Sequence, residues 1–564
     1  MLDEPHLVAG RWSCWLFGEP RRRDAPSTGE EDRLRVDPGA AFGRGLGESE
    51  GDPCELLTGR FVTVAYDRDA DYCLLSRDQL GAQPLVYAPV ADGILFGEHE
   101  RDLLEWLPSS PGPDRLALLQ WVENGVVPCG RTLYHGVHRL PAGHRLALDG
   151  GGARVERWWQ LRYEGVEPGD AATLAERVRD AAFAAVARAA AGARHPAVKL
   201  SGGLDSAALA AGIAADGFND GRALALGGAF PGHPVTDERE LIEATAHHTR
   251  LPLELVTYGG TRSMLAAGLA HIARWRLPPA TPNLFLWQPL MERARELDVD
   301  VVLDGEGGDE LFGLAGYLIA DMLRAGRAGA AWSLAGRIPG IGLDPSLRIR
   351  LRVLRHYGLR PLVPPTVRAR RQKRTAASAS SIVPLTDARA LVELRLARET
   401  DRRDGPTWWR LQAESLIDMR DALDMGAHFR REAAEESLER RHPFLYDVQV
   451  IEAILRLPPR VQFDPIRDRP LLRDALRGLI PEAVRTRHEK SHFSPLVLAG
   501  MRADEAELIE PLRRAEAPIR GYVERAALDR KLAVAPEERS MLGAGSLWRV
   551  AIADRWLEFQ AGQA

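Results

Sequence analysis

Ser201-Gly202-Gly203-Leu204-Asp205-Ser206 follows a short apolar run and opens an alanine-rich one. Paired glycines let backbone approach an anion closely, N–H groups at a helix start point towards it, and two hydroxyls add donors. The six residues therefore read as a phosphate cradle; the plainer alternative, a strand–helix turn with a serine cap, leaves the glycine pair without a use. A loop of the Gly-Lys kind is excluded, since the chain has no Gly-Lys pair. A second stretch, Leu303 to Gly313, places Asp304, Glu306, Asp309 and Glu310 among glycines. Carboxylates gathered this way repel unless a cation joins them, and magnesium shared with nucleotide phosphates fits better than a merely solvated acidic loop.

Both stretches need strand ends to present them. Apolar runs at Ala197–Leu200, Ala223–Phe230, Leu253–Tyr258 and Val299–Leu303 alternate with helical stretches at Ser206–Ala215 and Asp237–Arg250. Such alternation predicts a parallel sheet with helices, whose ligands sit beyond the carboxyl ends of its strands. Upstream the texture differs: Leu56–Tyr66, Tyr72–Ser76, Leu85–Tyr87, Ile94–Phe96 and Arg145–Leu148 are short β-prone runs between turn residues, which predict antiparallel sheet. EGVEPGD at Glu164–Asp170 breaks that pattern, so we expect an N-terminal domain over residues 1–165 and a second over 166–564. Residues 19–55, rich in Arg, Asp, Glu, Gly and Pro, read as a loop or partly disordered insertion, and the chain after Asp309 reads as helical to its end apart from Pro361–Ser381.

Composition narrows the classes. With 564 residues, 45% hydrophobic and 27% charged, the chain is globular rather than disordered or fibrous, and long enough for more than one core. A net charge of −5 argues against a surface built to hold nucleic acid. Four dispersed cysteines, without a CxxC pair, give no zinc pattern and suit a reducing interior. No apolar run approaches the roughly 18 residues that span a bilayer, and Asp3 and Glu4 stand where a signal peptide is basic, so a cytoplasmic protein without membrane or nucleic-acid partners is expected. Lysine occurs only at Lys199, Lys373, Lys490 and Lys531, against 74 Lys and Arg in total. A lysine inside a motif is therefore informative, because its compact charge differs from arginine's planar fork.

The pairing of SGGLDS with DGEGGDELFG resembles the asparagine synthetase family. Glu439, Arg441, Pro443, Phe444 and Leu445 resemble its E-x-R-x-PFLD stretch, with Tyr446 in place of the aspartate; Arg469–Arg473 (RPLLR) resembles K-x-x-LR; Pro481–Phe493 resembles its closing segment, with Lys490 in it. Thr58–Phe61, Arg77–Gly81, Pro84–Tyr87 and Leu140–Gly143 resemble the family's glutaminase domain. Members that hydrolyse glutamine open with Met-Cys-Gly, whereas this chain opens Met1-Leu2-Asp3, so no ammonia from glutamine is expected.

The resemblance implies an α/β protein: a degenerate glutaminase-like sandwich of the N-terminal-nucleophile-hydrolase type, followed by an adenine-nucleotide-hydrolase-like parallel sheet. It implies ATP and magnesium, adenylation of a carboxylate, then amide formation with release of AMP and pyrophosphate. Ser201, Gly202, Gly203, Asp205 and Ser206 would bind the pyrophosphate portion of ATP, Asp205 and Asp309 magnesium. Lys490 would stabilise negative charge in acyl transfer, and Glu306 would deprotonate the incoming amine. Relatives without the cysteine include β-lactam synthetases and lasso-peptide cyclases, and the arginine- and alanine-rich composition resembles the cyclases most. That reading implies a peptide substrate whose Asp or Glu side chain is joined to its own N-terminal amine, with a precursor-recognition protein and a leader peptidase as partners. β-Lactam synthetase, ammonia-dependent asparagine synthetase and an inactive nucleotide-binding scaffold are the alternatives. Arg348–Arg374 carries ten Lys or Arg and no acid, either a solvated face or a surface for the peptide or a partner.

Overall fold

The computed structural model describes residues 7–9, 12–22, 53–91, 93–127, 130–258, 263–364, 367, 381–398, 404–423, 425–432, 438–489 and 491–563. The strands are β1 (Leu7–Ala9), β2 (Trp12–Arg22), β3 (Leu57–Asp67), β4 (Tyr72–Arg77), β5 (Val86–Val90), β6 (Gly93–Gly97), β7 (His138–Arg139), β8 (His144–Asp149), β9 (Gly152–Arg157), β10 (Pro196–Leu200), β11 (Leu224–Ala229), β12 (Leu253–Thr257), β13 (Val301–Leu303) and β14 (Glu439–Arg441).

The N-terminal part is antiparallel, as its short alternating runs predict: a six-stranded sheet in the order β1-β2-β3-β4-β8-β9 and a three-stranded sheet β6-β5-β7. Alternation along β3 sorts its side chains by face. Val62 and Val64 pack with Leu75, Leu85, Tyr87 and Leu140 between the two sheets, while Phe61 and Ala65 turn to Cys14, Cys54 and Trp158 on the opposite side. One expectation fails here. Glu19–Arg22 is not loop but the end of β2, paired with Leu57–Arg60 of β3. Its charged residues hide the strand pattern because their partners, Arg188 and Arg441, lie far away in the sequence. The rest of the loop expected over 19–55 lies mostly outside the described residues.

The C-terminal part is a five-stranded sheet in the order β12-β11-β10-β13-β14, with parallel pairing throughout. Its helices bury apolar faces on both sides. The helix Ala171–Ala190 starts at Asp170, which accepts from the Thr173 N–H at 2.8 Å, and packs against Leu204–Ala215. Small residues permit that contact: a Cβ at Gly212 would lie 3.0 Å from Val186. β14 corrects the expectation of an all-helical remainder. Its sequence, Glu-Arg-Arg, has no apolar period, and it forms beside β13 because each charge finds a partner in the folded chain.

β10 lies at the centre, with β11 on one side and β13 on the other, so the chain reverses its direction of winding between β10 and β13. Ligand clefts form at such places. Register aligns Val198 with Leu303, so the residues following β10 and β13, Ser201–Ser206 and Asp304–Asp309, emerge side by side.

Candidate active site

Ser201 to Gly203 turn from β10 into the helix Leu204–Ala215, whose N-cap is Gly203. The turn requires glycine at 202, where φ is +68° and a Cβ would lie 2.8 Å from Glu238. Ser206 Oγ fixes the loop: it accepts from the Ser201 N–H at 3.2 Å, shares a 3.2 Å hydrogen bond with Ser201 Oγ, and donates to the Gly203 carbonyl at 3.1 Å. The acidic loop closes against it. A Cβ at Gly308 would lie 2.5 Å from Asp205 Cγ, so only glycine lets the two loops approach this far.

Asp205 and Asp309 converge on one point. Arg469 Nη1 lies 2.6 Å from Asp205 Oδ2 and 2.7 Å from Asp309 Oδ1. Two carboxylate oxygens within reach of one nitrogen form part of an oxygen cage, which suits a hard divalent cation completed by phosphate and water. Among the described residues no group of three or more His, Cys, Asp or Glu side chains forms a metal site by itself.

Beneath the loops lies a buried charge cluster. Lys199, the penultimate residue of β10, reaches Asp304 Oδ2 at 2.7 Å, and Arg440 of β14 reaches the same oxygen at 2.6 Å while also pairing with Glu432. Burial by itself would raise the Asp304 pKa, but Lys199 and Arg440 outweigh it and hold the carboxyl far below the usual range. Glu306 lies two residues on. Burial of its surroundings, then the Asp304 charge, raise its pKa, the direction a proton-accepting base near neutrality needs. Lys199 also stands 4.1 Å from the Trp287 ring centroid, and Trp287 meets Phe493 edge-on at 5.0 Å.

These groups share one cleft, with about 280 Å³ open to the centre of a water molecule. Ser201, Gly202, Gly203, Asp205, Ser206, Glu306 and Asp309 all line it. Lys490 lies outside the described residues; its neighbours Glu489 and Ser491 line the same cleft. Arg487 pairs with Glu238 and donates to Ser491 Oγ at 2.9 Å. The sequence reading passed over Lys199, Arg440, Glu238 and Trp287. Lys199 carried a signal, as one of four lysines and directly before the phosphate loop; the others are brought in by distant elements.

In the N-terminal part the matching motif is spent on structure. Asp78 accepts from the N–H groups of Phe61, Leu80, Ala82 and Gln83, and Arg77 donates to the carbonyls of Gln83, Leu140 and Gly81. Burial pushes the Cys14 and Cys73 thiols up to about 11, away from nucleophilic thiolate.

A phosphate-type loop at the switch point of a parallel α/β sheet, faced by an acidic loop, defines a nucleotide-using α/β protein. Residues 177–558 match the family described as Asparagine synthase, and residues 46–159 the Glutamine amidotransferase domain. The chain belongs to the asparagine synthase family, whose members are ATP-dependent amide synthetases. It is 25% identical over 458 residues to "Asparagine synthetase [glutamine-hydrolyzing] 3" of Bacillus subtilis (strain 168), covering 78% of this chain and 67% of that protein. It is 28% identical over 321 residues to a "Putative asparagine synthetase [glutamine-hydrolyzing]" of Mycobacterium bovis, covering 51% of this chain and 45% of that protein. The B. subtilis glutamine phosphoribosylpyrophosphate amidotransferase, solved with ADP and GMP, matches at 10% identity and a TM-score of 0.16, covering 56% of this chain and 58% of that one. Among the described residues no helix is long and apolar enough to cross a membrane.

Proposed function

We propose that this chain is an AMP-forming amide synthetase that closes a macrolactam on a peptide, in the manner of a lasso-peptide cyclase. The observation that carries the proposal is the opening of Glu306 onto the cleft where Asp205 and Asp309 converge below the phosphate loop. In the first step an Asp or Glu carboxylate oxygen of the peptide attacks the α-phosphorus of ATP, and pyrophosphate leaves towards the Ser201–Ser206 loop. In the second the peptide's N-terminal amine attacks the acyl carbon, its proton passes to Glu306, and AMP leaves. Asp205 and Asp309 would hold magnesium, which supplies charge neutralisation at the phosphates. Lys490 would face charge developing at the acyl centre.

Two features support an amine carried by the substrate. Proton-holding thiols at buried Cys14 and half-buried Cys73 suit packing rather than amide hydrolysis. Where the two parts of the chain meet, Arg441 bridges Glu439 and Glu19 at 2.7 and 2.5 Å, and Arg60 also pairs with Glu439, so charged side chains occupy the junction. A peptide substrate is supported by the segment Leu347–Leu362, which exposes Leu347, Leu351 and Leu359 among arginines. Its Tyr357 packs on Tyr317, close after the acidic loop, at 5.3 Å between ring centroids. Ring closure on a flexible peptide is entropically demanding, and such a surface would hold the tail while the ends meet. Residues 365–366 and 368–374 of the basic stretch lie outside the described residues. A precursor-recognition protein and a leader peptidase remain the proposed partners.

The relatives' names favour a second reading, asparagine formation from aspartate. Incubation with ATP, magnesium and a candidate precursor peptide separates the two: the cyclase reading expects AMP, pyrophosphate and a peptide lighter by one water. Stoichiometric ADP and phosphate would refute adenylation altogether, whereas AMP formation with aspartate and ammonia, and none with peptide, would select the second reading.

A further inference from the structure

Arg469 sits where a lysine stands in the motif its surroundings resemble, and its contacts depend on the shape of guanidinium. One nitrogen, Nη1, bridges Asp205 and Asp309, while Nε and Nη2 hold Asp468 Oδ2 at 2.9 and 2.8 Å. A lysine ammonium is a point charge on a flexible stem and cannot present two separate edges to three carboxylates. The backbone is arranged for this grip. Arg469 has φ +49°, ψ +50°, a left-handed conformation uncommon outside glycine and asparagine, and it directly precedes Pro470, which restricts the residue before it further. Strain of this kind persists where surrounding contacts over-determine it. Asp468 is itself held by Arg473, which also donates through Nε to the Asp468 carbonyl at 2.8 Å, so the pivot is anchored.

We infer that Arg469 is a resident counter-cation that competes with divalent metal for Asp205 and Asp309, so that metal enters this cleft only together with nucleotide. A cation ligated by Asp205 Oδ2 and Asp309 Oδ1 would have to take the place that Nη1 holds between them. Because Nε and Nη2 remain on Asp468, the guanidinium needs only to pivot, not to leave. Free metal must displace a charge-assisted contact to two carboxylates, whereas a metal–nucleotide complex brings phosphate oxygens that compensate the displaced guanidinium. Binding order follows: metal and ATP arrive as one complex, and the acidic loop does not collect metal on its own. The inference rests on the reading of Asp205 and Asp309 as metal ligands.

The test is direct titration of the full chain with Mn2+, read by loss of the free-ion EPR signal, with and without ATP. Arg469→Asn removes the guanidinium and suits the left-handed backbone; Arg469→Lys keeps one charge but loses the fork. Wild type should take up Mn2+ weakly alone and tightly with ATP. Arg469→Asn should bind Mn2+ without ATP at least about 10-fold more tightly than wild type, the scale of one lost charge pair near a surface. Arg469→Lys should fall between them. Equal Mn2+ affinity in wild type and both variants without ATP overturns the competition while leaving the metal ligands standing. An Arg469→Asn/Asp309→Asn protein that binds Mn2+ as tightly as Arg469→Asn overturns the ligand reading, and the inference with it. Circular dichroism melts of each variant establish that the folded protein is being titrated.

Discussion

Two buried aspartates show how differently the two parts of this chain use the same chemistry. Asp78 in the antiparallel part and Asp304 in the parallel part are both buried. Asp78 is surrounded by backbone N–H groups and shapes a turn; burial dominates over those donors and over Arg77, and its pKa is raised. Asp304 meets Lys199 and Arg440, and its pKa is lowered despite burial. The first carboxylate organises backbone and ends there. The second forms the floor of a cleft and projects its charge onto Glu306. Polar sequence motifs thus mark a working site only where the fold leaves some of their groups facing open space.

The largest effects that would break this comparison lie in the cleft. Asp205→Asn and Asp309→Asn should each reduce turnover by about 1,000-fold or more, since each removes a proposed ligand of the magnesium that would neutralise developing phosphate charge, while melting temperatures stay near wild type. An active variant of either would dissociate the carboxylate pair from catalysis. Glu306→Gln should lower turnover by about 100- to 10,000-fold. In the wild type, rate should climb with pH through the raised Glu306 pKa, because only the ionised carboxylate accepts the proton. Burial raises that pKa most and the Asp304 charge adds to it, so Asp304→Asn should move the acid limb to lower pH; an unmoved limb would count against Glu306 as the base.

Next in size is stability. Arg440→Met leaves Asp304 and Glu432 short of a buried partner and should cost about 3–5 kcal/mol, measured by urea unfolding. The sign with pH is set by the depressed Asp304 pKa: its contribution is complete above the unfolded carboxyl value and is lost as pH falls through the folded one. The wild-type advantage over Arg440→Met should therefore shrink in acid. Lys490→Arg should lose about 100- to 1,000-fold in turnover if a point charge is required there, and near-normal turnover would direct attention to Arg487. The smallest effect belongs to the N-terminal part: Cys14→Ala should cost about 1 kcal/mol and leave synthetase turnover unchanged. A large loss of turnover would contradict the purely structural use of that thiol.

Much of this was legible in the chain itself. The phosphate loop, the acidic loop, the change from alternating runs to strand–helix alternation and the positions of β10 to β13 follow from local pattern, because apolar period and glycine placement act over a few residues. β14 and the end of β2 were not legible: Glu439-Arg440-Arg441 falls in a stretch that reads as helical, and Glu19 to Arg22 in one that reads as loop. Their strands exist because Arg440 meets Asp304, Arg441 meets Glu19 and Glu439, and Arg21 donates to the Arg188 carbonyl. Desolvating a charge is unfavourable unless its partner is already in place, and apart from Glu439 those partners lie far off in the sequence, so only the assembled fold decides that a charged run is buried. The same reason separates what was known of the site from what was not. Sequence named Asp205 and Asp309 as candidate ligands, but their convergence on Arg469, and the pairing of Lys199 with Asp304, depend on two neighbouring parallel strands ending in register.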